Sequence, residues 1–111
     1  MAKKPETKFK EKVLPLLEAI PQSVWVKTQM VSVRGIPDWI GCVNGFAVFM
    51  EMKAEGGRAD PLQKYRLTKA AISGAYAAIL EPSNLEKVLL DLKALSSLEK
   101  PIAHNCQIIY Y

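Results

Sequence analysis

Asn44-Gly45 sits between two runs of strand-forming residues, 39–43 and 46–54. Both residues tolerate positive φ, which a two-residue hairpin turn requires. The two runs are therefore expected to pair antiparallel. In the second run Phe46, Val48, Met50 and Met52 alternate with Ala47, Phe49, Glu51 and Lys53. At a period of two, the first set makes a wholly apolar face, while the second begins apolar and ends charged. Counting outward from the turn, Asp38 falls near the end of the first strand, level with Glu51 and Lys53 on the second.

The remaining punctuation surrounds this hairpin with helices. Residues 5–20 read as a helix, with Phe9, Val13, Leu16, Leu17 and Ile20 on one apolar stripe. Pro15 predicts a kink or an early stop, and Pro21 ends the segment. Residues 24–33 are rich in β-branched side chains and read as a strand. Gly35 permits unusual backbone angles, and Pro37 pushes Ile36 towards an extended conformation.

After the hairpin, 55–60 is a Gly-rich loop. Asp60 can cap a helix that starts at Pro61, runs to about Ser73 and is closed by Gly74. Residues 75–80 read as a small-residue buried strand ended by Pro82. Ser83 and Glu86 have the spacing of a capping box, and the helix behind them carries Leu85, Val88, Leu89, Leu92 and Leu95 on one face. After Pro101, residues 106–111 read as a last strand at a sheet edge. The order α-β-β-β-α-β is that of an α/β (α+β) fold with a mixed central sheet flanked by helices, extended by a C-terminal helix and an edge strand. The helix between the third and fourth strands serves as a crossover, which makes that pair parallel.

At 111 residues the chain is expected to be a single domain, with a core at about 5–80 and an extension at 81–111. Half of the residues are apolar and 23% are charged, which argues against disorder. The formal net charge of +4 suits a polyanionic partner. Lys3, Lys4, Lys8, Lys10 and Lys12 read as a solvated face of the first helix. Cys42 and Cys106 lie far apart with no CxxC pair, so they read as small buried hydrophobes in a reducing compartment and not as zinc ligands. No signal peptide or membrane-length apolar run is recognised, and a cytoplasmic protein is expected. His104, the one histidine, has no assigned role, and no phosphate-binding Gly-rich loop indicates a nucleotide cofactor.

The chemistry concentrates in Asp38, Glu51 and Lys53. Two carboxylates held close in a half-buried site repel, and Lys53 offsets only one charge. A hard divalent cation with oxygen ligands relieves the rest. Mg²⁺, for which Mn²⁺ commonly substitutes, takes one or two carboxylates, waters and a substrate phosphate, and the backbone carbonyl of Met52 is a further candidate ligand. Such an ion activates water and neutralises charge on phosphate, while Lys53 can hold the attacking water.

The stretch Gly35-Ile36-Pro37-Asp38 followed by Phe49-Met50-Glu51-Met52-Lys53 resembles the PD-(D/E)xK nuclease superfamily. With Pro5-Glu6 ahead of it, Trp39-Ile40-Gly41 within it and Pro61-Leu62-Gln63 behind it, the pattern resembles the virus-type replication-repair nuclease (VRR-NUC) family. The resemblance implies a restriction-endonuclease-like core, with Asp38 and Glu51 as metal ligands and Lys53 as the catalytic lysine. It also implies that Glu6 lies near the metal, a role for which Glu11 and Glu18 compete, and that Gln63 lines the site. Arg34, Arg58 and Lys64 are candidate phosphate contacts, and Trp39 is expected in the core.

The expected function is that of a structure-selective DNA endonuclease. Family resemblance suggests a homodimer in a bacterial or phage-infected cell, acting on branched DNA such as four-way (Holliday) junctions. Dimer contacts are expected from the last helix and the 106–111 strand, because an apolar terminal segment on an edge invites pairing. The alternatives are a basic DNA-binding or protein-interaction module without catalysis, and a nuclease subunit that needs a partner.

Overall fold

The structure, a computed structural model, describes residues 4–28, 35–58 and 60–99. In chain order it comprises helix α1 (Pro5–Glu18), strands β1 (Ser23–Lys27), β2 (Trp39–Val43) and β3 (Phe46–Met52), helix α2 (Pro61–Ile72), strand β4 (Tyr76–Leu80), a 3₁₀ turn (Pro82–Asn84) and helix α3 (Leu85–Leu95). Arg34, His104, Cys106 and the expected last strand lie outside the described residues, as does the second half of the strand expected at 24–33.

The sheet order is β1-β2-β3-β4. β1–β2 and β2–β3 are antiparallel and β3–β4 is parallel. The mixed sheet and the crossover role of α2 are as expected. The hairpin turn is also as expected, with Asn44 at φ 51° and Gly45 at φ 87°. The Asn44 side chain then donates to the carbonyls of Leu95 and Leu98, tying the turn to the end of α3.

Alternation along β3 divides the molecule. Val48, Met50 and Met52 are fully buried against Phe9, Val13 and Leu17 of α1 and Val88 and Leu92 of α3, with Val43, Leu80 and Trp39 completing the core. Each such side chain contributes about 1.5–3 kcal/mol on burial. The opposite face is covered only in part, by α2. On that side Ala47 is exposed and Val24 and Val26 are 60% and 59% exposed. Cys42 projects there too and is half-buried, not fully buried as expected.

Three local expectations are corrected. α1 continues through Pro15 to Glu18, so the early stop does not occur; Pro15 is on the exposed side of the helix, away from the core. Leu16, expected in the buried stripe, lies at its shoulder and is 38% exposed. The capping box before α3 involves Glu81 and Asn84 and not Ser83 and Glu86, because Pro82 begins a 3₁₀ turn ahead of the helix. The Ser83 N–H donates to Glu55 instead.

Candidate active site

Strand register brings Asp38 to Glu51. The β2–β3 ladder ends at the pair Trp39↔Met50, so the next residue outward on each strand is Asp38 on one and Glu51 on the other. Past the ladder, side chains replace backbone as partners. The Asp38 N–H donates to Glu51 Oε1 at 3.2 Å, and the Met52 N–H donates to Asp38 Oδ2 at 3.0 Å. The two acids are thus latched crosswise over the strand ends.

The approach to Asp38 is fixed from two sides. Gly35 adopts φ +80°, and a Cβ there would lie 2.6 Å from Leu62 Cγ, so only glycine lets the turn pass against the start of α2. Thr28, just after β1, donates its N–H to the Asp38 carbonyl at 2.9 Å. Its hydroxyl donates to the carbonyls of Pro37 and Asp38. Thr28 was not legible as a positioning residue, since its role depends on the register of β1 against β2, which pairs Lys27 with Trp39 and so brings Thr28 opposite Asp38.

Two lysines complete the cluster. Lys53 Nζ is 3.3 Å from Glu51 Oε2 and 4.0 Å from Glu6 Oε1. Lys10 Nζ is 3.3 Å from Asp38 Oδ2 and 3.5 Å from Glu6 Oε2. Glu6 therefore reaches this end of the sheet, whereas Glu18 lines a separate hollow beside Trp25 and Trp39. Lys10, read from sequence as a solvated cation, belongs to the cluster. Its signal was there: Glu6, Lys10, Val13 and Leu17 follow steps of four, three and four, which continue the buried stripe towards the N-terminus.

Glu51 is the deepest member, at 3% exposure. Burial, and then the neighbouring Asp38 carboxylate, push its carboxyl up from the ordinary 4.5 to about 7 in spite of Lys53. For Lys10, burial opposes the charge, but Asp38 and Glu6 more than offset it and raise the ammonium above its ordinary value.

The remaining sequence candidates are placed differently. Gln63 accepts from the Asp60 N–H through Oε1 at 3.0 Å and donates its own N–H to Asp60 Oδ1 at 2.9 Å, closing a capping box on α2. Its side-chain carbonyl thus serves the helix start. Lys64 lies on the β4 side of α2, beside a hollow lined by Ala77 and Ile79. Arg58 is exposed in the loop after β3, and Trp39 is in the core, as expected.

Among the described residues no group of three or more His, Cys, Asp or Glu side chains is placed to hold a metal. The donor set at the strand ends is a carboxylate pair, not a closed cage. It fits a hard cation that keeps waters and shares a substrate oxygen. The buried Glu51, held protonated to about pH 7 by its surroundings, is the group whose charge such a cation would relieve. No helix among the described residues is long and apolar enough to cross a membrane.

No family model and no curated protein matches this chain. A solved structure described as "VRR_NUC domain" does match, with a TM-score of 0.67 and 20% identity, over 79% of this chain and 97% of that one. The chain thus has the fold of a VRR_NUC domain, and it spans nearly the whole of the domain that it matches.

Proposed function

We propose that this chain, built on the fold of a VRR_NUC domain, is a divalent-metal-dependent nuclease that hydrolyses DNA phosphodiester bonds. The observation that carries the reading is the crosswise latch of Asp38 and Glu51 at the strand ends, with Lys53 3.3 Å from the buried acid. An isolated ion pair on a strand face does little. Two acids converging where a ladder ends, one of them almost fully buried, cost stability and call for a cation.

In this reading Asp38 and Glu51 hold Mg²⁺ or Mn²⁺, with the backbone carbonyl of Met52 within the same strand end. The ion, when bound, supplies Lewis acidity and neutralises charge on the scissile phosphate. Lys53 orients the attacking water and stabilises the charge that grows on the phosphoryl oxygens as the water oxygen bonds to phosphorus and the P–O bond to the leaving alcohol breaks. Lys10 holds Asp38 by its Oδ2 and keeps it turned to the site. Glu6 orients both lysines, and Thr28 fixes the Asp38 backbone.

From the family resemblance and the small size of the chain, the substrate class assigned is branched DNA, including four-way junctions, cut by a homodimer whose two symmetric sites match two strands. With no base-reading module among the described residues, recognition rests on backbone and shape. The test is cleavage of linear, nicked and four-way DNA by the wild type in Mg²⁺, Mn²⁺ and EDTA, with gel filtration for the dimer. Cleavage of four-way DNA in either ion and none in EDTA is expected. Cleavage that survives EDTA contradicts the metal assignment, and an inert but DNA-binding wild type contradicts catalysis.

A further inference from the structure

An open trough of about 670 Å³ runs along the incompletely covered face of the sheet, between α2 and the strands β2 and β3. That is the size of a small-ligand site. Its floor includes Pro37, Ile40 and Phe49, and its helical wall carries Tyr65, Arg66 and Lys69. Pro37 precedes Asp38, and Phe49 stands two residues before Glu51 on the same strand face, so the floor runs along the strands towards the carboxylates. At 1.5 Å per residue the helical wall from Tyr65 to Ser73 is about 12 Å long. Tyr65 is 59% exposed beside it. The cations that α2 sets along the trough are Arg66 and Lys69, and the helix has no acidic residue.

An apolar floor beside a basic wall suits a ligand that is flat and apolar on its faces and anionic along its spine. Paired duplex does not qualify, because it keeps its base faces stacked inside and offers phosphates and base edges only. Unstacked nucleotides qualify: their bases stack on aromatic rings irrespective of sequence, and their phosphates meet cations. We propose that this trough binds unpaired nucleotides of the substrate strand next to the scissile phosphate, with Phe49 and Tyr65 taking bases and the α2 cations facing the phosphates. The proposal rests on the nuclease reading for its place beside the reacting phosphate, and its substrate is branched DNA with bases unpaired at the branch.

Binding is measured without catalysis, by fluorescence anisotropy of the full chain in EDTA. The probes are a short single-stranded DNA oligonucleotide, the same oligonucleotide carrying abasic sites, and its duplex. The single strand is expected to lose about tenfold in affinity when its bases are removed, and about tenfold in Tyr65→Ala, with duplex binding unchanged by that variant. Lys69→Ala is expected to weaken binding to every probe and to flatten its salt dependence. Equal affinity for the abasic and intact strands overturns the proposal, as does a Tyr65→Ala loss of the same size on duplex. A Tyr65→Ala variant that turns a dimer into a monomer while leaving single-strand affinity intact assigns the trough to a second copy and also overturns it. If the wild type cleaves nothing in Mg²⁺ yet keeps Tyr65-dependent single-strand binding, the nuclease reading fails and the trough stands.

Discussion

The two faces of the sheet are made by the same seven residues of β3, and they have opposite fates. Val48, Met50 and Met52 face α1 and α3 and are sealed from water. Their neighbours Ala47 and Phe49 face a half-open trough, and Glu51 follows on the same strand face. The sealed face converts apolar area into stability. The open face gives up part of that gain, and at its end holds a carboxylate in a place that disfavours its charge. The difference teaches that in a fold this small, stability and chemistry are separated by the strand's period of two and not by distance.

That separation can be broken by substitution, starting with the largest effects. Asp38→Ala and Lys53→Ala are expected to cut the cleavage rate by roughly 10²–10³-fold or more, with cooperative melting retained. If either variant keeps its rate, the chemistry is not on the open face. On the sealed face, Met50→Ala is expected to cost about 2–5 kcal/mol in denaturant unfolding, with cleavage per folded molecule kept. A variant that loses activity without losing stability would mean that the two faces are coupled.

Two smaller effects sharpen the comparison. Lys10→Met keeps the alkyl stem but removes the ammonium that holds Asp38. Cleavage is expected to fall about 10-fold, since groups that orient a metal ligand are worth roughly 10–100-fold. An unchanged rate would return Lys10 to the status of a surface cation. The last effect is on stability. The Glu51 carboxyl is raised in the fold from 4.5 to about 7, so the native state holds a proton that the unfolded chain releases. The stabilising contribution of that proton is complete below pH 4.5 and is lost as pH rises through 7. The metal-free wild type is therefore expected to melt at a lower temperature at pH 8 than at pH 5. Glu51→Gln is expected to remove most of that difference and to gain roughly 1 kcal/mol at pH 8, about 5 °C in Tm. A wild-type Tm that rises over this pH range contradicts the buried acid.

The legible parts of the molecule are those set by local rules. Asn44-Gly45 determined a turn, the turn set the register, and the register carried Asp38 to the level of Glu51. The period of two put Glu51 and Lys53 at the charged end of an otherwise apolar face, and Asp60-Pro61 marked the start of α2. The parts that escaped depend on docking. Lys10 enters the cluster only because α1 lies across the strand ends, and a helix pattern alone does not say what its polar shoulder meets. Thr28 acts through the register of β1 against β2. The box of Glu81 and Asn84 displaced the expected one of Ser83 and Glu86 because a 3₁₀ turn and an α-helix start alike in sequence. Gln63, singled out by family resemblance, closes the α2 capping box with Asp60, a pairing that its three-residue spacing would have allowed. The trough was invisible from periodicity, because Phe49 and Tyr65 come from different elements and neither alone marks a shared groove.

The central claim is that the open face ends in a divalent-cation site made by the latched pair. Its most direct test is titration of the metal-free chain with Mn²⁺ at pH 8, followed by electron paramagnetic resonance of the free ion, for the wild type, Asp38→Ala and Glu51→Gln. The account predicts saturable binding to the wild type that weakens as pH falls below 7, when Glu51 takes up its proton, and that is lost in both variants. Wild-type and variant curves that coincide, with all three proteins folded, would contradict it.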